Sequence, residues 1–318
     1  MGVKALRVLV TGGAGFIGSN TVDWLIEHRH AVSVVDNLVT GFREQVHPQA
    51  HFHEVDITDE SELRRVFAAE EPEAVIHLAA QMDVRVSTRR PAYDAQVNIL
   101  GSLNVITAAV AAGTRKIVYA SSGGAIYGDP DYLPVREDHR IRPLSQYGVT
   151  KHTVEHYLFL YAHLEGLRYT ALRYANVYGP RQNPSGEAGV IAIFGRSLLL
   201  GQPCRIFGDG EQTRDYVYVG DVVAANVMAL SAGDDEEVHI GTGIETSVNE
   251  LHQALAEICG SRRPAQHEPE RPGEVRRISL DASLAARRLG WEPRVSLTAG
   301  LERTVAYLRD RMAEGRLA

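Results

Sequence analysis

The chain has 318 residues, 44% of them hydrophobic and 23% charged, an ordinary globular composition with room for one large domain or two moderate ones. Its net charge of −7 offers neither the basic footprint of a nucleic-acid binder nor a polybasic membrane patch, and no apolar run approaches the roughly 20 residues of a membrane span. Cys204 and Cys259 are the only cysteines, far apart and without metal-like spacing. The 13 histidines form no zinc-like cluster, and the first strand begins too early for a signal peptide, so a reducing, cytoplasmic setting is expected.

Residues 6–11 read as a strand that runs into Gly12-Gly13-Ala14-Gly15-Phe16-Ile17-Gly18, and residues 16–28 continue with helical spacing. Glycines at 12, 15 and 18 let backbone N–H groups and a helix N-terminus approach a pyrophosphate closely. A second apolar strand, 31–35, ends at Asp36. A carboxylate there accepts hydrogen bonds from ribose hydroxyls and repels a 2′-phosphate, which favours NAD over NADP. Strand, glycine turn, helix, strand and acid together predict the opening of a dinucleotide-binding unit.

The alternation continues with strands at 51–55, 74–78, 115–121 and 168–174 and helices at 60–69, 93–112 and 145–165, the pattern of a doubly wound parallel α/β sheet. The helices at 93–112 and 147–164 are apolar on more than one face, which fits burial on the sheet alone or, as is expected here, further pairing with a second copy in a homodimer. After Tyr178-Gly179-Pro180 the pattern shortens and mixes. A polar loop at 181–188 leads to a helix near 189–200, strands at 205–207 and 214–219, a helix at 220–231, a strand at 237–240 and a helix at 247–259. Residues 261–275, rich in Pro, Arg and Glu, are expected to cross the surface. The expected division is a Rossmann domain at 1–178, rejoined by about 214–243, and a smaller mixed α/β substrate domain at 179–213 and 244–318, with the ligand in the crevice between them.

The chemical signal is Tyr147-Gly148-Val149-Thr150-Lys151. At i and i+4 on a helix the phenol and ammonium share a face. A free phenol titrates near 10, and a nearby fixed cation favours the phenolate, so proton abstraction from a hydroxyl becomes feasible. Upstream, Ser121-Ser122-Gly123-Gly124 follows a strand at the edge where α/β ligands bind, and a serine hydroxyl with small neighbours can bond the reacting oxygen.

These motifs fall in order with Asp36-Asn37-Leu38, Asp56-Ile57, His77-Leu78-Ala79-Ala80-Gln81, Arg173-Tyr174-Ala175-Asn176-Val177-Tyr178-Gly179-Pro180, Gly208-Asp209-Gly210, Arg214-Asp215-Tyr216 and Arg271-Pro272-Gly273-Glu274. Over nearly its whole length the chain resembles the extended short-chain dehydrogenase/reductases, in their nucleotide-sugar branch, and among these the UDP-glucose (UDP-galactose) 4-epimerase family.

The resemblance implies NAD held by Gly12, Gly15, Phe16, Ile17, Gly18, Asp36 and Asn37, with Asp56 and Ile57 at the adenine. Leu78, Ala79, Ala80 and Gln81 would line the path of the diphosphate and nicotinamide ribose, and Asn98, Ser121, Tyr147, Lys151 and Tyr174 would lie on the cofactor side. Tyr147, Lys151 and Ser122 would be catalytic. Ser122, Tyr147, Asn176, Val190, Phe207, Arg214, Arg271 and Glu274 would meet a UDP-sugar, arginine suiting a diphosphate through its planar fork. Many 4-epimerases carry a Ser or Thr where this chain has Gly123, so the hydroxyl is expected from Ser122, or else Ser121. Ile278 aligns with the sugar-pocket wall.

The implied reaction is NAD-dependent 4-epimerisation of a UDP-hexose. The alternatives are a UDP-N-acetylglucosamine or UDP-glucuronate 4-epimerase and a non-catalytic NAD-binding regulator. The dehydratase branch carries an Asp-Glu pair where this chain has Gly124-Ala125-Ile126, which argues against that reaction.

Overall fold

A computed structural model describes residues 5–184, 189–270 and 275–316. Strands β1 (Arg7–Thr11), β2 (Ala31–Asp36), β3 (His51–Glu54), β4 (Ala74–His77), β5 (Lys116–Ser122) and β6 (Arg168–Tyr174) alternate with helices α1 (Phe16–Glu27), α2 (Glu60–Glu70), α3 (Val84–Arg89), α4 (Pro91–Ala95), α5 (Ser102–Ala111), α6 (Gly123–Ile126) and α7 (Gln146–Glu165). Next come β7 (Asn176–Tyr178), α8 (Val190–Leu199), β8 (Arg205–Phe207), β9 (Thr213–Arg214), β10 (Tyr216–Tyr218), α9 (Val219–Ala229) and β11 (Glu236–Ile240). The chain closes with β12 (Thr246–Ser247), α10 (Val248–Cys259), β13 (Gln266–Glu268), α11 (Ser283–Leu289) and α12 (Leu297–Ala313).

Seven strands form one parallel sheet in the order β11-β6-β5-β4-β1-β2-β3. The order reverses between β4 and β1, the switch point where such sheets open a crevice at their C-terminal edge. Because both faces are covered, the strands are near-continuous apolar runs rather than alternating ones. Val8, Val10, Val118 and Leu172 pack one face, against Val22 and Leu25 of α1 and Val222 and Ala225 of α9. Leu9, Val75, Ile117 and Ala171 pack the other, against Leu63 of α2, Val105 of α5 and Val154 and Leu158 of α7. A third core joins α8, α10 and α12 through Phe194, Leu198, Leu251, Leu255, Leu301 and Val305.

Two expectations are corrected, and a third gains detail. The single helix at 93–112 is α4, a π-helical turn over Gln96–Gly101, and α5. Buried Asn98 lies in that turn, with its side chain bonded to the backbone N–H and C=O of Gln81. The strand at 214–219 breaks at Asp215: β9 pairs with β12 and β10 with β7. Its buried carboxylate turns inward to accept the N–H groups of Thr242, Gly243 and Leu280 at 2.9, 3.0 and 3.1 Å. The segment expected to cross the surface is largely exposed over 261–270 and also contains β13, which pairs with β8.

Candidate active site

The glycine turn joins β1 to α1 at the switch point. Gly12 has φ +72°, and a Cβ there would lie 2.7 Å from the Ala79 backbone nitrogen, so only glycine fits. A Cβ on Gly15 would meet only the Gly12 carbonyl, at 3.2 Å, which leaves the approach to the turn open. Gly15 caps α1 without a side-chain hydrogen bond, and no acid stands in the first turn. The first N–H groups of the helix, those of Phe16 and Ile17 among them, therefore point at the crevice as an uncapped anion site.

Asp36 closes β2 beside this turn. Its Oδ2 accepts from Ala14 N–H and its Oδ1 from Leu38 N–H, each at 2.9 Å. Burial raises its carboxyl above the ordinary value, against the pull of those two hydrogen bonds. At the end of β3, Asp56 is also opposed by burial, but bonds from Thr58 and from Asn37, at 2.8 Å, hold its carboxyl below the ordinary value. Ile57, beside it, is buried. Across the switch point, Leu78, Ala79 and Ala80 are half-buried, and Ala79 N–H donates to Thr11 Oγ1.

Tyr147 and Lys151 lie on the first turns of α7, which Ser145 caps by accepting the Gly148 N–H at 3.1 Å. Ser122, the last residue of β5, lies beside Tyr147, close enough to favour its phenolate. Burial pushes the Tyr147 phenol up to about 12, the Asp94 carboxylate adds to that, and Ser122 pulls it back. Burial drops the Lys151 ammonium to about 7, against the attraction of Glu155 and Asp94. The ammonium sits 4.4 Å over the Tyr119 ring and makes no hydrogen bond or ion pair among the described residues. The expected acidification of Tyr147 by Lys151 is thus not present in the chain alone: burial and the Asp94 carboxylate raise the phenol, and the influence that lowers it is Ser122.

The two candidate serines differ. Ser121 is buried and donates to Glu155 Oε1 at 2.6 Å, while Ser122 meets Tyr147. Tyr174, expected on the cofactor side, spends its buried hydroxyl on Asn226 Oδ1 at 2.6 Å. Asn98 reaches the site only through Gln81, Asp94 and Thr150.

On the substrate side, exposed Asn176 lies beside the serine turn: a Cβ on Gly124 would be 3.5 Å from its Oδ1. Val190 opens α8, Phe207 ends β8, and Arg214, on β9, donates to the Thr213 carbonyl. All three are half-buried. Arg271 and Glu274 lie outside the described residues. Ile278, expected at a pocket wall, is buried in the core beside Leu280.

Sequence reasoning missed Asp94, Thr150 and Glu155. The available signal was an acid on a helix otherwise apolar on several faces, four residues before Asn98.

A family model described as the NAD dependent epimerase/dehydratase family matches residues 8–241. UDP-glucose 4-epimerase of Mycolicibacterium smegmatis is 44% identical over 312 residues, 96% of this chain and 99% of that protein. The crystal structure of UDP-glucose 4-epimerase from Thermotoga maritima with UDP-glucose has a TM-score of 0.95 at 50% identity, covering 96% of this chain and 99% of that one. The Thermus thermophilus UDP-glucose 4-epimerase in complex with NAD has a TM-score of 0.90 at 43% identity, covering 95% and 98%.

Proposed function

This chain belongs to the NAD dependent epimerase/dehydratase family, and within it we propose a UDP-hexose 4-epimerase that interconverts UDP-galactose and UDP-glucose through a transient 4-keto sugar. The observation that carries the reading is the placement of Ser122 beside Tyr147, one helical turn from Lys151, at the sheet edge that also holds an uncapped helix N-terminus.

The residues present fit NAD: the Gly12–Gly18 turn for the pyrophosphate, Asp36 for a ribose without 2′-phosphate, Asp56 and Ile57 for the adenine, and Lys151 for the second ribose. When bound, NAD supplies a reversible hydride acceptor for the sugar's carbon 4. Tyr147 takes the proton of the sugar 4-hydroxyl and returns it, and Ser122 orients both oxygens. Lys151 favours the phenolate form when charged, and Arg214 is the cation suited to the diphosphate. A firm nucleotide grip with few sugar contacts leaves the keto sugar free to present either face. Gly124-Ala125 provides no acid pair for a dehydratase.

The same proposal assigns residues 1–178 and 214–243 to the cofactor and the remainder to the nucleotide sugar. It also includes a homodimer through α5 and α7 and work in a reducing cytoplasm, which suits the two free cysteines. Among the described residues, no helix is long and apolar enough to cross a membrane.

The test is purified protein with UDP-galactose and no added NAD, followed by NMR for UDP-glucose and by absorbance for NADH. Equilibration without lasting NADH is expected. Tyr147→Phe should keep nucleotide binding and lose about 10²–10⁴-fold in turnover; unchanged turnover would remove Tyr147 from the mechanism.

A further inference from the structure

Asp94 is the least exposed carboxylate among the described residues, at 0%, and the reaction as drawn above does not use it. Its hydrogen-bond partners are all neutral. Oδ1 accepts from Gln81 Nε2 at 2.7 Å and Asn98 Nδ2 at 3.1 Å, and Oδ2 accepts from Thr150 Oγ1 at 2.9 Å. Among the described residues no cation is paired with it. A buried carboxylate without a cation is costly, and this one ties three segments together at the site. Gln81 belongs to the loop after β4, Asn98 to the π-helical turn, and Thr150 lies between Tyr147 and Lys151 on α7, its Oγ1 3.0 Å from the Tyr147 carbonyl.

We propose that Asp94 is a positioning residue for the reaction, fixing the Tyr147–Lys151 turn of α7 against the cofactor-facing Gln81 loop and supplying the negative charge that balances the Lys151 ammonium. This rests on the reading of Tyr147 as the group that moves the sugar proton.

The other titratable groups facing the pair do not supply that balance. His77 of β4 is held neutral by burial, its titration down at about 3. Tyr119 of β5 stays protonated because burial raises its phenol well above the ordinary value. Glu155 of α7 attracts Lys151, but Arg173 grips it twice, at 3.0 and 2.7 Å, and His152 once, at 2.9 Å. Asp94 remains, opposing the phenolate and favouring the ammonium. Its charge keeps the tyrosine protonated and the lysine charged to higher pH than burial alone would allow.

Asp94→Asn is nearly isosteric. The amide oxygen can keep the bonds from Gln81 and Asn98, and the amide N–H can donate to Thr150 Oγ1. The experiment is NMR titration of ¹³C-labelled lysine and tyrosine in the protein as purified, without sugar, with Lys151→Met and Tyr147→Phe assigning the two signals.

In Asp94→Asn both midpoints should move to lower pH by about one unit, and both limbs of the pH–rate profile should follow. Asp94→Glu, which retains the charge, should leave both midpoints in place. A variant that loses rate at every pH with neither midpoint moved would make Asp94 a structural strut and overturn the proposal. Should Asp94→Asn not fold, Asp94→Glu against Asp94→Gln carries the same comparison. Because the titrations are read without sugar, failure to epimerise UDP-galactose would sink the proposed reaction and leave this result standing.

Discussion

At Gly123 the fold has no room for a side chain. A Cβ there would lie 2.4 Å from Leu280 Cδ1 and 3.2 Å from the Arg173 carbonyl, and Leu280 is itself fully buried. Restoring a hydroxyl by Gly123→Ser should therefore overpack the turn and cost about 1–3 kcal/mol, read by urea unfolding. Leu280→Ala alone should also destabilise, by opening a cavity. The double variant should lose less than the sum of the two, because each change relieves the other; simple additivity would show that Leu280 is not what excludes the side chain. Legibility in the sequence differed by residue for a related reason. Gly12, Asp36, Tyr147 and Lys151 have roles set by local backbone and by short spacing, so their pattern is visible in the chain. The role proposed for Asp94 comes from Gln81 and Thr150, 13 and 56 residues away, and its one local mark is an acid on an otherwise apolar helix, four residues before Asn98.

Helix α7 is fixed to the sheet by a buried ion pair, Glu155 to Arg173 of β6, extended by Ser121 and His152. The Arg173 Nη1 goes on to donate to the Tyr127 hydroxyl at 2.9 Å, and that hydroxyl lies 2.6 Å from His239 Nε2. Glu155→Ala leaves a buried guanidinium without its partner and should cost about 3–5 kcal/mol, whereas Glu155→Leu with Arg173→Met should cost much less. Burial alone would raise the Glu155 carboxyl, but the bonds from His152, Arg173 and Ser121 bring it down to about 2. A folded-state value below the unfolded one means this stability is complete above the ordinary glutamate value of 4.5 and is lost as pH falls from there to about 2. Urea midpoints between pH 5 and 2 should fall more steeply in the native chain than in the Leu/Met variant. Parallel slopes would show that Glu155 is not coupled to acid unfolding. Apolar spacing alone predicted α7 within a residue. The same criterion ran 93–112 together, because a π-helical turn keeps the apolar spacing while its extra residue is held by side-chain bonds that spacing cannot show.

For the molecule as a whole, the repeated strand–helix alternation was enough to predict a parallel sheet, since each buried strand and each amphipathic helix carries its own period. The paired short strands β7 and β10, β8 and β13, β9 and β12 are two or three residues long, too short to carry a period. The remaining element-level signal is a surface that the single chain leaves uncovered. Val149, Phe159, Leu160 and Leu164 of α7 are exposed, Phe159 at 64%, and so is Leu100 in the π-helical turn beside α5. Apolar side chains exposed along one helix are what the proposed homodimer rests on. A two-fold pairing would set α5 and α7 against their copies, each patch meeting itself. Placing like charges there, with Phe159→Glu and Leu160→Glu together, should convert a dimer to a monomer by size-exclusion chromatography with light scattering. The substituted side chains point away from the sheet, so the folded monomer should survive, with its circular dichroism unchanged. Its turnover should fall less than in Tyr147→Phe, because Tyr147, Ser122 and Lys151 all come from one chain. A double variant with the same mass in solution as the native protein would place the interface elsewhere.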